Sequence, residues 1–252
     1  MWHEDSVNST QTTSANFKNL RSLFVTSNGD IYIDDGSNND RVQKWTAETQ
    51  AFVTVMYVIT SCFGLFVDVN DTLYCSIYQN NQVVKRWLND SNITSSIIVA
   101  GTGHPGSALD ELNSPRGIFV DVNFDLYVAD CRNDRVQLFV SGESSGITVA
   151  GSRSPNPTIN LRCPSGIVLD AEKYLFIVDS DNNRIVGSGL NGFRCLVGCF
   201  GNGSQSNQLS YPTTLSFDRS GNMFVADYDN NRTQKFMYLE SSSGELKKNK
   251  AR

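Results

Sequence analysis

The sequence is poor in the side chains on which many catalytic and metal sites depend. It contains only two histidines, His3 and His104, and its six cysteines form no CxxC pair. Zinc sites need several such ligands at short spacing, so no metal site is predicted. GxSxG, HExxH, Walker-type and strand–GxGxxG–helix motifs are absent as well. We therefore predict no catalytic residues and no cofactor, and a protein that is not an enzyme.

Lys and Arg form no rich cluster before the last few residues. The chain has 21 Lys and Arg against 26 Asp and Glu, for a net charge of −5. Sequence-independent binding of nucleic acid needs a basic stripe that neutralises phosphates, and no such stripe is present. Nucleic acid is not an expected partner.

The sequence lacks an apolar run suited to a membrane span or a leader. Its most apolar region, residues 51–69, is interrupted by two threonines, a serine and Gly64, and predicts two strands rather than a span. Residues 1–19 are polar and lack the apolar core of a signal peptide. This abrupt polar start also fits a chain whose upstream sequence is missing, so an extracellular location stays open and no compartment is assigned.

The cysteines allow few predictions about pairing. Cys195 and Cys199 would lie roughly 13 Å apart in an extended segment, which is too far for a disulfide. A bridge between repeats, such as Cys131 to Cys163, is one possibility, and buried free thiols are the alternative. The other two cysteines are Cys62 and Cys75.

A pattern of short strands and polar turns recurs five times along the chain. In chain order, the first two copies are "SLFVTSNGDIYIDDGSNNDRVQKW" and "GLFVDVNDTLYCSIYQNNQVVKRW". The third is "GIFVDVNFDLYVADCRNDRVQLF", the fourth is "GIVLDAEKYLFIVDSDNNRIV", and the fifth is "TLSFDRSGNMFVADYDNNRTQKF". They start at Ser22, Gly64, Gly117, Gly166 and Thr214, which are 42, 53, 49 and 48 residues apart. A period in the forties with this pattern is typical of propeller blades.

Each copy predicts one four-stranded antiparallel blade. Three strand candidates lie within the copy, and a fourth, such as "IIVAG" or "ITVAG", follows a turn rich in Ser and Gly. The first two strands are nearly continuous apolar runs, as expected for a sheet packed between two neighbours. Aromatic residues that close the third strands at matched positions are predicted to pack between blades or at the rim, with an aromatic binding patch as the alternative: Trp45, Trp87, Phe139 and Phe236.

These copies resemble the NHL repeat. The shared features are a first strand ending in Asp, then Leu/Ile-Tyr-Val-Ala-Asp, then Asn-x-Arg-Val-Gln-x-Phe; the second copy departs, with Ile77 and Gln82 in place of Asp and Arg. The resemblance implies an all-β propeller of four-stranded antiparallel blades. The family usually closes six blades, and five are readable here, so a five-bladed ring and an incomplete six-bladed ring both stay open.

The repeats also define the domain organisation. Residues 20–238 are predicted to form the propeller. Residues 1–19 are a polar segment in which "SANFKNL" could supply a closing strand, and residues 239–252 are a polar basic tail predicted to be disordered.

The repeated Asp-x-x-Asn-x-Arg pattern is interpreted as architecture rather than chemistry. A catalytic constellation is normally built once from unlike parts, whereas this one recurs in four of the five copies. Asp can set the turn, Asn tolerates a left-handed backbone, and Arg can pair with the acid across the turn. The predicted structural residues are Asp35, Arg41, Asp130, Asn133, Arg135, Asp179, Asn182, Arg184, Asp227, Asn230 and Arg232. A second recurring acid ends the first strand, at Asp68, Asp121, Asp170 and Asp218.

The leading functional prediction is a non-catalytic module that binds a protein or peptide. The resemblance supports it, because NHL propellers serve as recognition domains in ubiquitin ligases and surface receptors. Turn residues that vary between copies are the predicted contacts: Asn38, Asn39, Gln79, Asn80, Arg132, Asp134, Asp181, Asn183, Asp229 and Asn231. A metal-dependent lactonase or hydrolase is the alternative, and single-stranded RNA binding is a lesser one. A zinc-dependent lyase of the NHL-like kind would need several histidines.

Overall fold

The part of the chain that the structure describes forms nineteen β-strands in five antiparallel sheets. The computed structural model describes residue 17 and residues 20–36, 38–46, 48–152, 154 and 158–237. The sheets are arranged as the blades of a propeller, which confirms the predicted fold class. No helix in this part of the chain is long and apolar enough to cross a membrane.

The blades follow one another along the chain, and the strands of each sheet pair in sequence order. Blade 1 contains β1 (Leu23–Val25), β2 (Ile31–Asp34), β3 (Arg41–Thr46) and β4 (Ala51–Tyr57). Blade 2 contains β5 (Cys62–Val67), β6 (Thr72–Ile77), β7 (Gln82–Trp87) and β8 (Ile97–Ala100). Blade 3 contains β9 (Pro115–Val120), β10 (Leu126–Asp130), β11 (Arg135–Phe139) and β12 (Ile147–Gly151). Blade 4 contains β13 (Pro164–Leu169), β14 (Leu175–Asp179), β15 (Arg184–Gly187) and β16 (Arg194–Val197). Blade 5 contains β17 (Pro212–Phe217), β18 (Met223–Asp227) and β19 (Arg232–Phe236), with no fourth strand among the residues described.

Apolar side chains on both faces of the inner strands form the cores between blades. Four separate hydrophobic clusters join blade 1 to 2, 2 to 3, 3 to 4 and 4 to 5. Every residue of β6 is buried, because the strand lies inside a sheet that is covered on both faces. This is the reason for the continuous apolar runs in the sequence.

Glycine permits the closest approach between neighbouring inner strands. A Cβ atom on Gly64 would lie 2.7 Å from the carbonyl oxygen of Arg116, and one on Gly117 would lie 2.4 Å from that of Ser165. Gly166 occupies the same repeat position against blade 5. In blade 5 this position is Thr214, which is exposed.

The two end blades differ from the blades between them. In β1, Leu23 is 65% exposed, whereas the equivalent Leu65 of β5 is 6% exposed. Among the residues described, no hydrophobic cluster joins blade 5 to blade 1. The described residues form five blades. The predicted closing strand lies outside the described residues apart from Phe17 and Leu20, and the tail 239–252 lies outside them entirely.

All six cysteines form disulfides, and one pairing corrects the sequence interpretation. Cys195 and Cys199 are bonded, with their Cα atoms 5.9 Å apart. The prediction of an extended segment was wrong, because Gly198 has a φ of 73° and turns the chain back after β16. Cys131 is bonded to Cys163, which joins blade 3 to the loop before blade 4, and Cys62 is bonded to Cys75 within blade 2.

The predicted matched position of Trp87 was wrong, whereas Trp45, Phe139 and Phe236 do occupy equivalent positions in their blades. Trp45 and Phe139 are 4% and 2% exposed, but Trp87 is 47% exposed. In blade 2 it is Arg86 that occupies the equivalent buried position, paired with Leu73 in β6. The corner between the second and third strands is one residue longer in blade 1 than in the other blades. Trp45 and Trp87 lie equally far from the start of their copies, but because of this extra residue it is Arg86, not Trp87, that is equivalent to Trp45.

Candidate functional site

The repeated corner between the second and third strands is held by a buried ion pair. In blade 3, Arg135 Nε donates to Asp130 Oδ2 over 2.7 Å, and Asn133 Nδ2 donates to the same oxygen over 2.7 Å. The other oxygen of Asp130 accepts the backbone N–H of Asn113 over 2.7 Å. The remaining nitrogens of Arg135 donate to the carbonyl oxygens of the loop before blade 3. The corner therefore fixes both the hairpin and the loop that leads into its blade.

The same bonds recur around the propeller. Arg184 Nε lies 2.7 Å from Asp179 Oδ2, Arg232 Nε lies 2.7 Å from Asp227 Oδ2, and Arg41 Nε lies 2.7 Å from Asp35 Oδ2. Asn182 and Asn230 donate to the acids of their own corners over 2.9 Å. In four corners the charged side chains are thus engaged in ion pairs and hydrogen bonds within the chain, so these residues are poorly suited to bind a ligand.

Burial changes the electrostatics of this motif from blade to blade. Burial raises the pKa of Asp130, although the donors Asn113, Asn133 and Arg135 oppose that shift. Burial also acts to raise the pKa of Asp227, but there the donors together outweigh burial and lower the pKa. The two pKa shifts differ because Asp130 is more deeply buried than Asp227. Blade 3 has a described blade on both faces, whereas blade 5 has one on a single face.

Three corner residues with a left-handed backbone connect blades 2, 3 and 4 each to the next. They are Asn81, Asp134 and Asn183, whose φ angles lie between 52° and 54°. The left-handed residue follows the motif asparagine, so the prediction that this asparagine itself adopts that backbone was wrong. Their Oδ1 atoms accept backbone N–H bonds from Ser114, Cys163 and Tyr211 over 2.8–2.9 Å. Asp134 and Asn183, which we predicted as ligand contacts, therefore also position the loop of the following blade.

The corners lie together at one end of the propeller, which we call the corner face: residues 35–36, 38–41, 77–82, 130–135, 179–184 and 227–232. The inner strands begin at this end, as the pairing of Pro115 with Asp130 shows. A cavity of about 450 Å³ opens among four of the blades here. Its lining residues are Tyr78, Asn113, Arg116, Cys131, Arg132, Asp134, Arg162, Cys163, Asp181 and Tyr211.

Only part of this lining was expected from the sequence. Arg132, Asp134 and Asp181 were predicted contacts, and the structure brings these three together. The other predicted contacts lie at the corner face but outside the cavity: Asn38, Asn39, Gln79, Asn80, Asn183, Asp229 and Asn231.

Sequence reasoning missed Arg116, Arg162 and the two tyrosines of the cavity. Arg116 is the second residue of β9, just before the glycine at which inner strands approach each other. That repeat position holds four different residue types in the five copies: Arg21, Phe63, Arg116, Ser165 and Thr213. Variation inside an otherwise uniform strand was the signal that could have identified it.

The acids that end the first strands lie at the opposite end of the blades. Asp121 Oδ1 accepts the backbone N–H groups of Asn123 and Asp125, and Asp218 Oδ1 accepts those of Ser220 and Asn222. These bonds define local turns. Across the described part of the chain, no group of three His, Cys, Asp or Glu side chains is placed to hold a metal ion.

Comparisons with known proteins address the fold. No protein-family model matches the chain, and no curated protein matches it. Among solved structures, a streptogramin B lyase is 13% identical over 94% of this chain and 70% of its own, with a TM-score of 0.64. A virginiamycin B lyase from Staphylococcus aureus is 11% identical over 94% and 71%, with a TM-score of 0.62. An auxiliary nutrient binding protein from Bacteroides thetaiotaomicron is 16% identical over 89% and 60%, with a TM-score of 0.66.

Identities this low show a common fold and assign no activity or ligand. Structures similar to this chain include both lyases and nutrient-binding proteins. The NHL resemblance stays a prediction from the repeats, and what the comparisons support is the coarser statement that the chain is a β-propeller.

Proposed function

We propose that the protein is a non-catalytic binding module that recognises a protein or peptide ligand at its corner face. The cavity of about 450 Å³ carries this proposal. Its size falls within the range of about 300–1,000 Å³ that is typical of ligand pockets. A rigid scaffold that presents loops around a concave site is a common arrangement for recognition.

The recurring residues and the variable residues of the corner face have different roles, and this difference supports the proposal. Residues that recur in the copies are engaged in internal ion pairs, such as Arg135 with Asp130. The residues that line the cavity differ from blade to blade, and they include the exposed side chains of Arg132, Arg162 and Asp181. Non-repeated polar and aromatic groups are what a single asymmetric ligand requires.

The alternatives have less support. A metal-dependent hydrolase would draw on a cluster of acidic donors, and the described residues offer no group of three. Binding of single-stranded RNA would draw on a basic groove, whereas the net charge is −5.

Three disulfides suggest where such a module works. All six cysteines are paired, and such bonds persist in oxidising compartments. The proposal is therefore of an extracellular or otherwise oxidised recognition domain, as in a surface receptor.

A displayed library of short random peptides tests the proposed function. We expect selection on the immobilised, disulfide-intact protein to enrich peptides, and Arg132→Glu to weaken their binding by about tenfold or more, as for a central contact. Glu172→Lys is the matched control, because it reverses an exposed charge at the opposite end of blade 4. Absence of enrichment, or equal binding to the wild type and Arg132→Glu, would contradict the proposal.

A further inference from the structure

Arg116 reaches from blade 3 to two other blades at the floor of the cavity. Its guanidinium carbon lies 5.6 Å from the ring centroid of Phe63 in blade 2 and 5.9 Å from that of Tyr211 before blade 5. Nη2 donates to Tyr211 Oη over 3.1 Å. Two aromatic rings and one hydroxyl thus hold the guanidinium in place, which limits the entropy lost when it binds a ligand.

This arginine differs from the corner arginines in having no acid. Arg135, Arg184 and Arg232 each lie 2.7 Å from a carboxylate oxygen. Among the residues described, no Asp or Glu forms an ion pair with Arg116, and its buried Nε has no hydrogen-bond acceptor. A buried donor without a partner carries an uncompensated desolvation cost, so the guanidinium is under-satisfied by the chain itself.

The surroundings of Arg116 add positive charge. The cavity lining contains three arginines and two aspartates. Asp134 already accepts the backbone N–H of Cys163, and Asp181 lies 3.8 Å from Arg162, whose side chain is 69% exposed. The local excess is positive although the whole chain is acidic, so the cavity favours a localised negative group over a long polyanion.

We propose that Arg116 is the anchor for a carboxylate of an acidic peptide ligand. This inference rests on the proposed function and names the chemistry that the cavity recognises. A guanidinium has a planar fork of donors, and the two Nη nitrogens of Arg116, neither of which is buried without a partner, can bond the two oxygens of a carboxylate together. Phe63 and Tyr211 flank the guanidinium, and the carboxylate supplies the opposite charge that no described Asp or Glu supplies to Arg116. The carboxylate comes from an Asp or Glu side chain or from a peptide C-terminus.

Nuclear magnetic resonance of arginine side chains tests the anchor directly. The protein is labelled with ¹⁵N-arginine, and the Nε–H signal of Arg116 is assigned from its loss in Arg116→Gln and Arg116→Lys. The probes are acetyl-Gly-Glu-Gly-amide, acetyl-Gly-Gly-Gly with a free C-terminus, and acetyl-Gly-Gln-Gly-amide. We expect a saturable shift of the Arg116 signal with one or both carboxylate probes and none with the glutamine probe. The first two probes distinguish a side-chain carboxylate from a terminal one.

Two further measurements make the result decisive. Affinity for an enriched acidic library peptide is expected to fall about tenfold or more in Arg116→Gln and to stay unchanged in Arg194→Gln, which removes an exposed arginine from an outer strand. Replacement of Glu or Asp by Gln or Asn in that peptide should abolish the difference between the wild type and Arg116→Gln.

The outcomes separate this inference from the proposed function. If library peptides bind but no carboxylate moves the Arg116 signal, the anchor is wrong and the recognition role stands. If the carboxylates move the signal but no library peptide is retained, the anchor stands and peptide recognition falls. A stronger response to inorganic phosphate or to a uridine oligonucleotide than to the carboxylate probes would overturn the anchor as a carboxylate site.

Discussion

At the scale of single residues, burial separates structural charges from charges that are available to a ligand. The Arg135 side chain is 1% exposed and Asp130 is fully buried, whereas Arg162 and Asp181 are 69% and 36% exposed at a distance of 3.8 Å. A buried pair is strongly coupled, while an exposed one is screened by water.

Removal of Arg135 is expected to destabilise the protein severely. Arg135→Met would leave Asp130 charged, buried and unpaired, for which about 3–5 kcal/mol is typical. Arg162→Met, which breaks the exposed pair with Asp181, should cost less than about 1 kcal/mol. Urea unfolding of both variants checks this. Equal losses would show that the buried corner is not the structural pair that we describe.

Asp34 is expected to make the protein less stable as the pH rises. An acid whose pKa is lowered by a partner has the opposite effect, since its contribution to stability is lost as the pH falls. Burial raises the pKa of Asp34 to about 6, against the bonds from the backbone of Cys62, Gly36 and Arg21. A raised pKa means that the folded state binds a proton more tightly, so the wild type loses stability as pH rises from about 4 to 6. At about 1.4 kcal/mol per pKa unit, the penalty at neutral pH is roughly 3 kcal/mol at most.

Asp34→Asn is therefore expected to be more stable than the wild type at pH 7. The amide keeps an oxygen for the N–H of Cys62, which now lies 2.9 Å from Asp34 Oδ1. The gain should shrink towards pH 4, where the wild-type carboxyl is protonated, in melting curves taken across this range. Asp121→Asn is the control of opposite sign: burial acts to raise the pKa of Asp121, but the bonds from Lys173 and from backbone N–H groups lower it, so the substitution should destabilise at pH 7. An Asp34→Asn gain that does not change with pH would exclude titration of Asp34 as its cause.

At the scale of strands and blades, the sequence predicted the elements well and their connections less well. Five copies of one strand pattern were sufficient to predict five sheets, because alternation and turn residues are local signals. The extra corner residue of blade 1 led to the wrong position for Trp87, and the turn at Gly198 led us to exclude the disulfide between Cys195 and Cys199. Both features depend on the local backbone conformation, which composition does not encode.

The cavity was harder to predict than the fold for a physical reason. Arg116 and Tyr211 are 95 residues apart and meet only because blades 3 and 5 face a common centre. The turns that contain Arg132 and Asp181 were predictable, since loops at equivalent places in a repeat cluster at one end. A residue inside a strand carries no such signal unless the copies are compared position by position.

The glycines of the inner strands should tolerate no side chain. In Gly117→Ala the new methyl group would lie 2.4 Å from the backbone oxygen of Ser165, and neither strand can move without disturbing the cluster between blades 3 and 4. Overpacking of this kind costs about 1–3 kcal/mol or more. The nearest atom to a methyl group on Gly189 is the oxygen of Gly192 at 3.9 Å, so Gly189→Ala should change stability by about 0.5 kcal/mol or less. A thermal melt of each variant decides the matter, and a tolerated Gly117→Ala would contradict the close approach.

At the scale of the whole molecule, the three disulfides contribute unequally. The bond between Cys131 and Cys163 spans 32 residues and two blades, whereas the bond between Cys195 and Cys199 spans 4 residues. Loop-closure entropy gives about 4 kcal/mol for the first and about 2 kcal/mol for the second.

Paired serine variants test this difference. Cys131→Ser with Cys163→Ser should lower the unfolding midpoint more than Cys195→Ser with Cys199→Ser, because the longer loop gains more freedom in the unfolded chain. Both variants are measured in the same urea titration. The expectation fails if the two pairs have equal effects or if the short loop proves the more important.

The order of the blades has a consequence for how the molecule opens. Blades 2, 3 and 4 each contact a neighbour on both faces, while the described residues of blades 1 and 5 share a core with one neighbour each. In a stack of repeats coupled only to their neighbours, the terminal units fray before the centre. Amide hydrogens of β2 and β18 should then exchange with solvent sooner than those of β10, and the cavity, which draws residues from blades 2 to 5, would lose its Tyr211 side first.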